Sequence, residues 1–388
     1  MDYRETGGRD ALDARVGERA GLTRGRAFEL LPRMRVALGL QPIAAPAIVF
    51  VPLGYVLGPS VLNVLPTTAL THLDVAVTLG LAALGVFVAL AFDLRGPADR
   101  RLVAAATVES LVTMVIVAGA TLFLMRQWGM PLDAATGLVA AVLGIAASVS
   151  SAGAGPTPED TQNATARIAD LDDCWALIAA AIAVAAVSGG TSGDTWRIIG
   201  LTALVGLLAG VVGWLLFERA GNAAERGVFV LGALALVGGG AQYVGGSPLL
   251  AGLVAGLCWK WLPGTADAII RADVSRYQHP LVLLLLVVAG ALTEFSPVAI
   301  WLLGPFVVFR LAGKVIGAWL AARMVPGLRT SDLAAFLLPP GLLGIALSLN
   351  VLQASASPTA VALVSTVAIG TLAAELLALA VLPGETRD

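Results

Sequence analysis

Asp172 and Asp173 are adjacent carboxylates in a stretch that must lie in a membrane. The apolar run after them, Cys174 to Ser188, rises only about 22 Å as a helix, short of the ~30 Å hydrocarbon core. A spanning helix therefore starts earlier and takes both acids with it. One carboxylate at that depth costs roughly 3 kcal/mol, and two cost more. Acids in such a place need a partner. Lys314 precedes Arg323 by nine residues, about 13 Å of helix. Asp173 follows Ala164 by nine residues, again about 13 Å, or about 8 Å if the helix starts after Arg167. The opposite charges fall at similar depth on antiparallel helices. Pairing offsets the desolvation of both, and a proton or a cation breaks the pair. Competition of proton and cation for one site, with access from one side at a time, gives obligatory exchange.

Other charged residues lie near this depth. Arg310 is one turn from Lys314 and shares its face. It would bind lipid or a carboxylate on a neighbouring helix. Glu109 and Glu375 are embedded as well, each as a structural hydrogen-bond partner or an accessory proton or cation ligand. Asp93 and Glu294 lie at segment ends and read as interfacial; Asp170, a turn before Asp173, reads as a vestibule charge. Two blander readings stand beside these. Asp172 and Asp173 could cap a tilted helix at the interface, and Lys314 could snorkel to the headgroups.

The elements that must hold these residues are membrane helices. The 388 residues are 58% hydrophobic and 13% charged, with mean hydropathy +0.87, a polytopic membrane composition. A net charge of -2 gives no basic surface for nucleic acid. Two cysteines, Cys174 and Cys258, exclude a disulfide framework and a cysteine metal site. The two histidines, His72 and His279, sit far apart at segment ends. No metal cluster, triad or phosphate loop points to an enzyme, and no cofactor is implied. Twelve apolar segments are expected, at 36–58, 75–94, 102–125, 134–153, 164–188, 197–217, 227–244, 247–262, 279–295, 299–322, 332–352 and 359–382. With the N-terminus inside, 20 of the 24 Lys and Arg fall on the cytoplasmic side; only Arg126 and Arg197 fall outside, and Arg310 and Lys314 within a segment. That asymmetry supports twelve crossings with both termini cytoplasmic. Residues 1–35 carry eight arginines and no apolar h-region, so they read as a cytoplasmic tail rather than a signal peptide. Arg26–Arg35 could form a short interfacial helix interrupted at Pro32. Residues 383–388 read as a second short tail, with no sensing module expected after them.

Two segments cannot be regular helices. Segment four ends in Ala147 to Pro156, where Ser148, Ser150 and Ser151 precede Gly153, Gly155 and Pro156. Segment eleven carries Pro339-Pro340-Gly341 at its centre. Unwound backbone at membrane depth persists only where protein or a water-filled cavity satisfies it, and paired interruptions point to a transporter's site. The breaks flank the acid-bearing segment five and the lysine-bearing segment ten. Gly238–Gly240 lie inside segment seven and read as helix packing or a local break.

In this order the motifs resemble the monovalent cation:proton antiporter superfamily, the sodium/proton antiporters of the NhaA and NapA type. Leu53–Ser60 (LGYVLGPS) resembles its "GyllGPs" helix end, and Leu84–Arg95 (LGVFVALAFDLR) its "lGvllflaGlelD" helix. Ser148–Ser151 (SVSS) is similar to its serine-containing break, and Leu171–Leu177 (LDDCWAL) to its "DDvlal" signature. Gly246–Gly256 (GSPLLAGLVAG), Phe309–Arg323 (FRLAGKVIGAWLAAR) and Pro340–Leu349 (PGLLGIALSL) resemble its "glSpllgaflaG", "lgKllgtylaar" and "pRGlvglala" segments. The likeness spans roughly residues 45–382.

The resemblance implies an all-α membrane fold of about twelve helices with inverted repeats and broken helices four and eleven. It implies that Asp173, and with it Asp172, binds the monovalent cation and protons alternately. Lys314 looks like the lysine that pairs with the second aspartate. Two acids resemble the electrogenic branch, which exchanges two protons for one cation; Na⁺ or Li⁺ is expected, with K⁺ as an alternative. A homodimer in the cell (inner) membrane is implied, in contact with lipid. A core of 102–188 and 299–382 would move against a scaffold of 36–94 and 227–295, with 197–217 as a linker helix. Two departures stand out: the link Gly155–Asn163 (GPTPEDTQN) is short and polar, and Pro340 stands where many relatives carry arginine. Two other classes fit the same sequence. One is a Na⁺-coupled symporter of an organic anion facing Arg310 and Lys314; the other is a non-transporting membrane scaffold or sensor.

Overall fold

The computed structural model describes residues 46–91, 99–151, 159–262, 266–355 and 357–381. The chain divides into Met1–Pro46, of which only Pro46 is described, and Ala47–Asp388, described below. The described residues of the latter unit are helical apart from turns and short extended links. In chain order the helices are α1 (Pro46–Leu57), α2 (Thr67–Ala91), α3 (Asp99–Gln127), α4 (Ala134–Ser148), α5 (Glu159–Gly189), α6 (Ser192–Arg219) and α7 (Ala223–Tyr243). Then come α8 (Pro248–Trp261), α9 (Ala266–Ala291), α10 (Pro297–Ala322), α11 (Thr330–Leu337), α12 (Leu343–Ser355) and α13 (Pro358–Val381). Among the described residues, seven helices are long and apolar enough to cross a membrane: α2, α3, α5, α6, α7, α10 and α13. α1, α4, α8 and α12 are shorter apolar helices, as is the His279–Ala291 part of α9.

The local chemistry explains the ends. Asp133, Thr191, Asn222, Ser247 and Ser296 each accept a backbone N–H in the first turn of α4, α6, α7, α8 and α10. Pro248 and Pro297 follow two of these caps, where a missing N–H leaves no bond unmade. In lipid, the hydrophobic effect gives no drive to bring helices together, so close packing across small residues takes over. α2 and α8 meet this way. A Cβ on Gly252 would collide with the Ala82 carbonyl, and one on Gly85 with the Leu249 carbonyl. Gly252→Val is expected to destabilise the fold by about 2–3 kcal/mol through overpacking. Gly119→Ala, where an added Cβ meets nothing within 4 Å, is the neutral control. Thermal unfolding in detergent compares the two.

Several expected boundaries shift. The polar start of α9, thirteen residues before His279, stays helical although its charges break the apolar run. α5 likewise begins at Glu159, so the polar link shortens further. Gly238–Gly240 lie inside unbroken α7, so the helix is not interrupted there; Gly238 lets it approach the Thr78 carbonyl on α2 and Gly240 the Val205 side chain on α6. The tail 1–35, its interfacial helix, the start of segment one, Asp93, Gly153 and residues 383–388 lie outside the described residues.

Candidate functional site

The two interruptions meet. α4 stops at Ser148, whose hydroxyl donates back to the Ile145 carbonyl at 2.9 Å. Val149 is extended, with φ -65° and ψ 136°. α11 stops at Leu337, because neither Pro339 nor Pro340 has an N–H to continue it. The two extended links then cross. Ser150 pairs antiparallel with Pro340, and the Ser151 N–H donates to the Pro339 carbonyl at 3.1 Å. Gly341 makes the crossing possible: a Cβ there would strike the Val149 side chain and lie 3.0 Å from the Ser150 carbonyl.

A crossing of unwound strands leaves carbonyls without helical donors. α10 supplies donors from one face. Arg310 donates through Nη1 to the Leu338 carbonyl at 2.8 Å and through Nη2 to the Val149 carbonyl at 3.0 Å. It thereby bridges both broken segments. Lys314 Nζ donates to the Ser148 carbonyl and to Ser150 Oγ, the latter at 2.5 Å. Both cations are fully buried. Arg310 is therefore not at the lipid, and its hydrogen-bond partners are carbonyls rather than a carboxylate. The expectation fails because helix breaks at membrane depth create a demand for donors that a lone sequence position does not display. Snorkelling by Lys314 is likewise excluded by its burial.

The acids gather around the same ammonium. Asp172 Oδ2 accepts from Ser150 Oγ at 2.8 Å and lies 3.2 Å from Lys314 Nζ. Lys314 thus pairs with the first aspartate of the doublet rather than the second. Glu109 on α3 is closer still, with Oε1 2.9 Å from Nζ. Asp173 is half-buried beside them. Both aspartates sit mid-way along α5, so neither caps a helix. One oxygen each of Glu109, Asp172 and Asp173 is buried and accepts no hydrogen bond from a described residue. Glu375, half-buried on α13, is within electrostatic reach of Arg310. Asp170 is half-buried, and Glu294 is exposed.

A second polar cluster escapes a sequence reading. At the start of α2, Asp74 accepts from Gln242 Nε2 of α7 at 3.0 Å and from Gln353 Nε2 of α12 at 2.6 Å. Asn350 Nδ2 donates to Ser247 Oγ at 2.7 Å. A cavity of about 120 Å³ opens beside them, lined by Ser188, Gln242, Asn350 and Gln353. The available signal was the recurrence of side-chain amides in the last turn of two apolar helices.

This architecture is shared with a solved structure. The sodium proton antiporter MjNhaP1 from Methanocaldococcus jannaschii, solved at pH 8, superposes with a TM-score of 0.58. At 15% identity the match covers 86% of this chain and 89% of that one. No curated protein sequence matches the chain. The profile of the family described as sodium/hydrogen exchanger, transmembrane matches residues 34–380, nearly the whole chain. With its apolar helices, that makes the protein a multi-pass membrane protein. It belongs to the sodium/hydrogen exchanger transmembrane family.

Proposed function

We propose that this protein exchanges a monovalent cation, Na⁺ or Li⁺ with K⁺ as an alternative, for protons across the membrane, with Asp172 and Asp173 as the alternating site. The observation that carries the reading is the buried acid cluster around Lys314 at the crossing of two broken helices. Glu109, Asp172, Asp173 and Glu375 outnumber Arg310 and Lys314 by two, so the ionised cluster moves toward neutrality by taking up protons or a monovalent cation. The oxygens of Asp173 and Asp172 that accept no hydrogen bond from a described residue are acceptors ready for either. A cation draws Asp172 away from Lys314, and a proton on Asp172 does the same. Protons and the cation compete for the same two carboxylates, which couples the two flows.

Alternation follows from a core of 102–188 and 299–382, which contains the whole cluster, moving against a scaffold of 36–94 and 227–295. The protein acts as a homodimer in the cell membrane, with both termini cytoplasmic. Asp173 remains the principal cation ligand, because Asp172 is held by Ser150 and Lys314.

The test uses purified protein in proteoliposomes with a preset pH gradient. Addition of Na⁺ or Li⁺ is expected to dissipate the gradient, faster when the membrane voltage is clamped. Absence of proton movement with Na⁺, Li⁺ and K⁺ alike would overturn the reading. Cation uptake that leaves pH unchanged but requires an organic anion would favour the symporter.

A further inference from the structure

We infer that Glu109 is a positioning residue for exchange: it is the carboxylate to which Lys314 remains bound when Asp172 releases it to take up a cation. The inference rests on the exchange reading above, and it assigns Glu109 a role distinct from that of a cation ligand.

Three observations support it. First, Lys314 Nζ is shared between two acids, 2.9 Å from Glu109 and 3.2 Å from Asp172, and all three side chains are fully buried. Second, Glu109 is fixed relative to Lys314 by backbone packing. Gly313 and Gly317 flank Lys314 on α10 at the spacing of a small-residue contact. A Cβ on Gly317 would lie 3.0 Å from the Glu109 carbonyl and 3.1 Å from its Cγ; one on Gly313 would lie 3.1 Å from Thr113 Cα. α3 and α10 therefore touch along the turns that carry the pair. Thr113 Oγ1 also donates to Glu109 Oε1 at 3.3 Å. Third, Asp172 sits on a different helix, α5, and is held at Oδ2 alone, by Ser150 and Lys314.

The asymmetry has a consequence. A buried ammonium is costly to strip of its counter-ion. With Asp172 as its sole partner, every cation that claimed Asp172 would have to strip Lys314 bare. With Glu109 in place, Lys314 leans from one acid to the other and is never bare. Glu109 thus weakens the hold of Lys314 on Asp172 and raises the apparent affinity for the cation.

The experiment measures Na⁺-dependent thermal stabilisation of the purified full-length protein in detergent, which reports binding without transport, alongside Na⁺-driven proton flux. Glu109→Gln is expected to raise the Na⁺ midpoint about tenfold, equivalent to about 1.4 kcal/mol, and the KM for Na⁺ in parallel while kcat is kept. Glu109→Asp, which shortens the reach but keeps the charge, should raise it about threefold and stands in if the glutamine variant does not fold. In a Lys314→Gln background, Glu109→Gln should leave the midpoint within about twofold, because the residue through which it acts is gone. An unchanged midpoint in both single variants, with only the melting temperature lowered, would make Glu109 a structural residue and overturn the proposal. An equal tenfold rise in the Lys314→Gln background would also overturn it, in favour of direct attraction of the cation. If the unmodified protein shows neither Na⁺-dependent stabilisation nor flux, the exchange reading itself fails.

Discussion

Asp173→Asn is expected to abolish Na⁺-driven proton movement in proteoliposomes, by at least about a hundredfold, while leaving the melting temperature within about 2 °C of the parent. The two parts of this result rest on different observations. Transport is lost because the amide neither takes up a proton at neutral pH nor offers a cation a negative charge. The fold persists because the buried Oδ1 of Asp173 accepts no hydrogen bond from a described residue, and asparagine has the same shape. Asp172→Asn should behave differently. It takes a carboxylate from Lys314 and weakens the bond from Ser150 Oγ, yet Lys314 keeps Glu109 at 2.9 Å. That variant should fold, whereas removing Glu109 and Asp172 together leaves a buried, unpaired ammonium at a cost of roughly 3–5 kcal/mol. Full exchange activity in Asp173→Asn would move the cation site elsewhere in the cluster.

The ion pair between α5 and α10 was legible in the sequence because depth along a membrane helix is a simple count. Nine residues from Ala164 and nine from Arg323 place Asp173 and Lys314 at one level. The count resolves level but not direction, so it could not tell that Asp172, one residue and about 100° away, takes the lysine. The breaks were legible for a local reason: Pro339-Pro340-Gly341 forbids a regular helix whatever surrounds it. Their crossing was not, because a break states which donors are missing and not which side chain supplies them. Glu109 could be recognised as an embedded acid, but its partner depends on how closely α3 and α10 approach, and Gly313 and Gly317 decide that. The cluster of Asp74, Gln242 and Gln353 joins three helices far apart in the chain, with no spacing to reveal it.

Arg310→Met is expected to destabilise the protein by about 3–5 kcal/mol, seen as a fall of roughly 5 °C in melting temperature in detergent. The guanidinium reaches the Leu338 carbonyl of one broken segment and the Val149 carbonyl of the other. Methionine fills much of the volume but leaves both carbonyls buried without these donors. Arg310→Lys should fall between the two, since a single ammonium lacks the planar fork that spans both acceptors. The guanidinium at the crossing comes from α10 and not from the interrupted segment that carries Pro340. The same variant separates the competing functions. If Arg310 faced an organic anion, its loss would remove anion flux and spare the fold, because the freed pocket would lose a ligand and not a brace. A methionine variant that melts like the parent would show that the crossing of α4 and α11 is held by Lys314 and the Ser150–Pro340 pairing without the guanidinium.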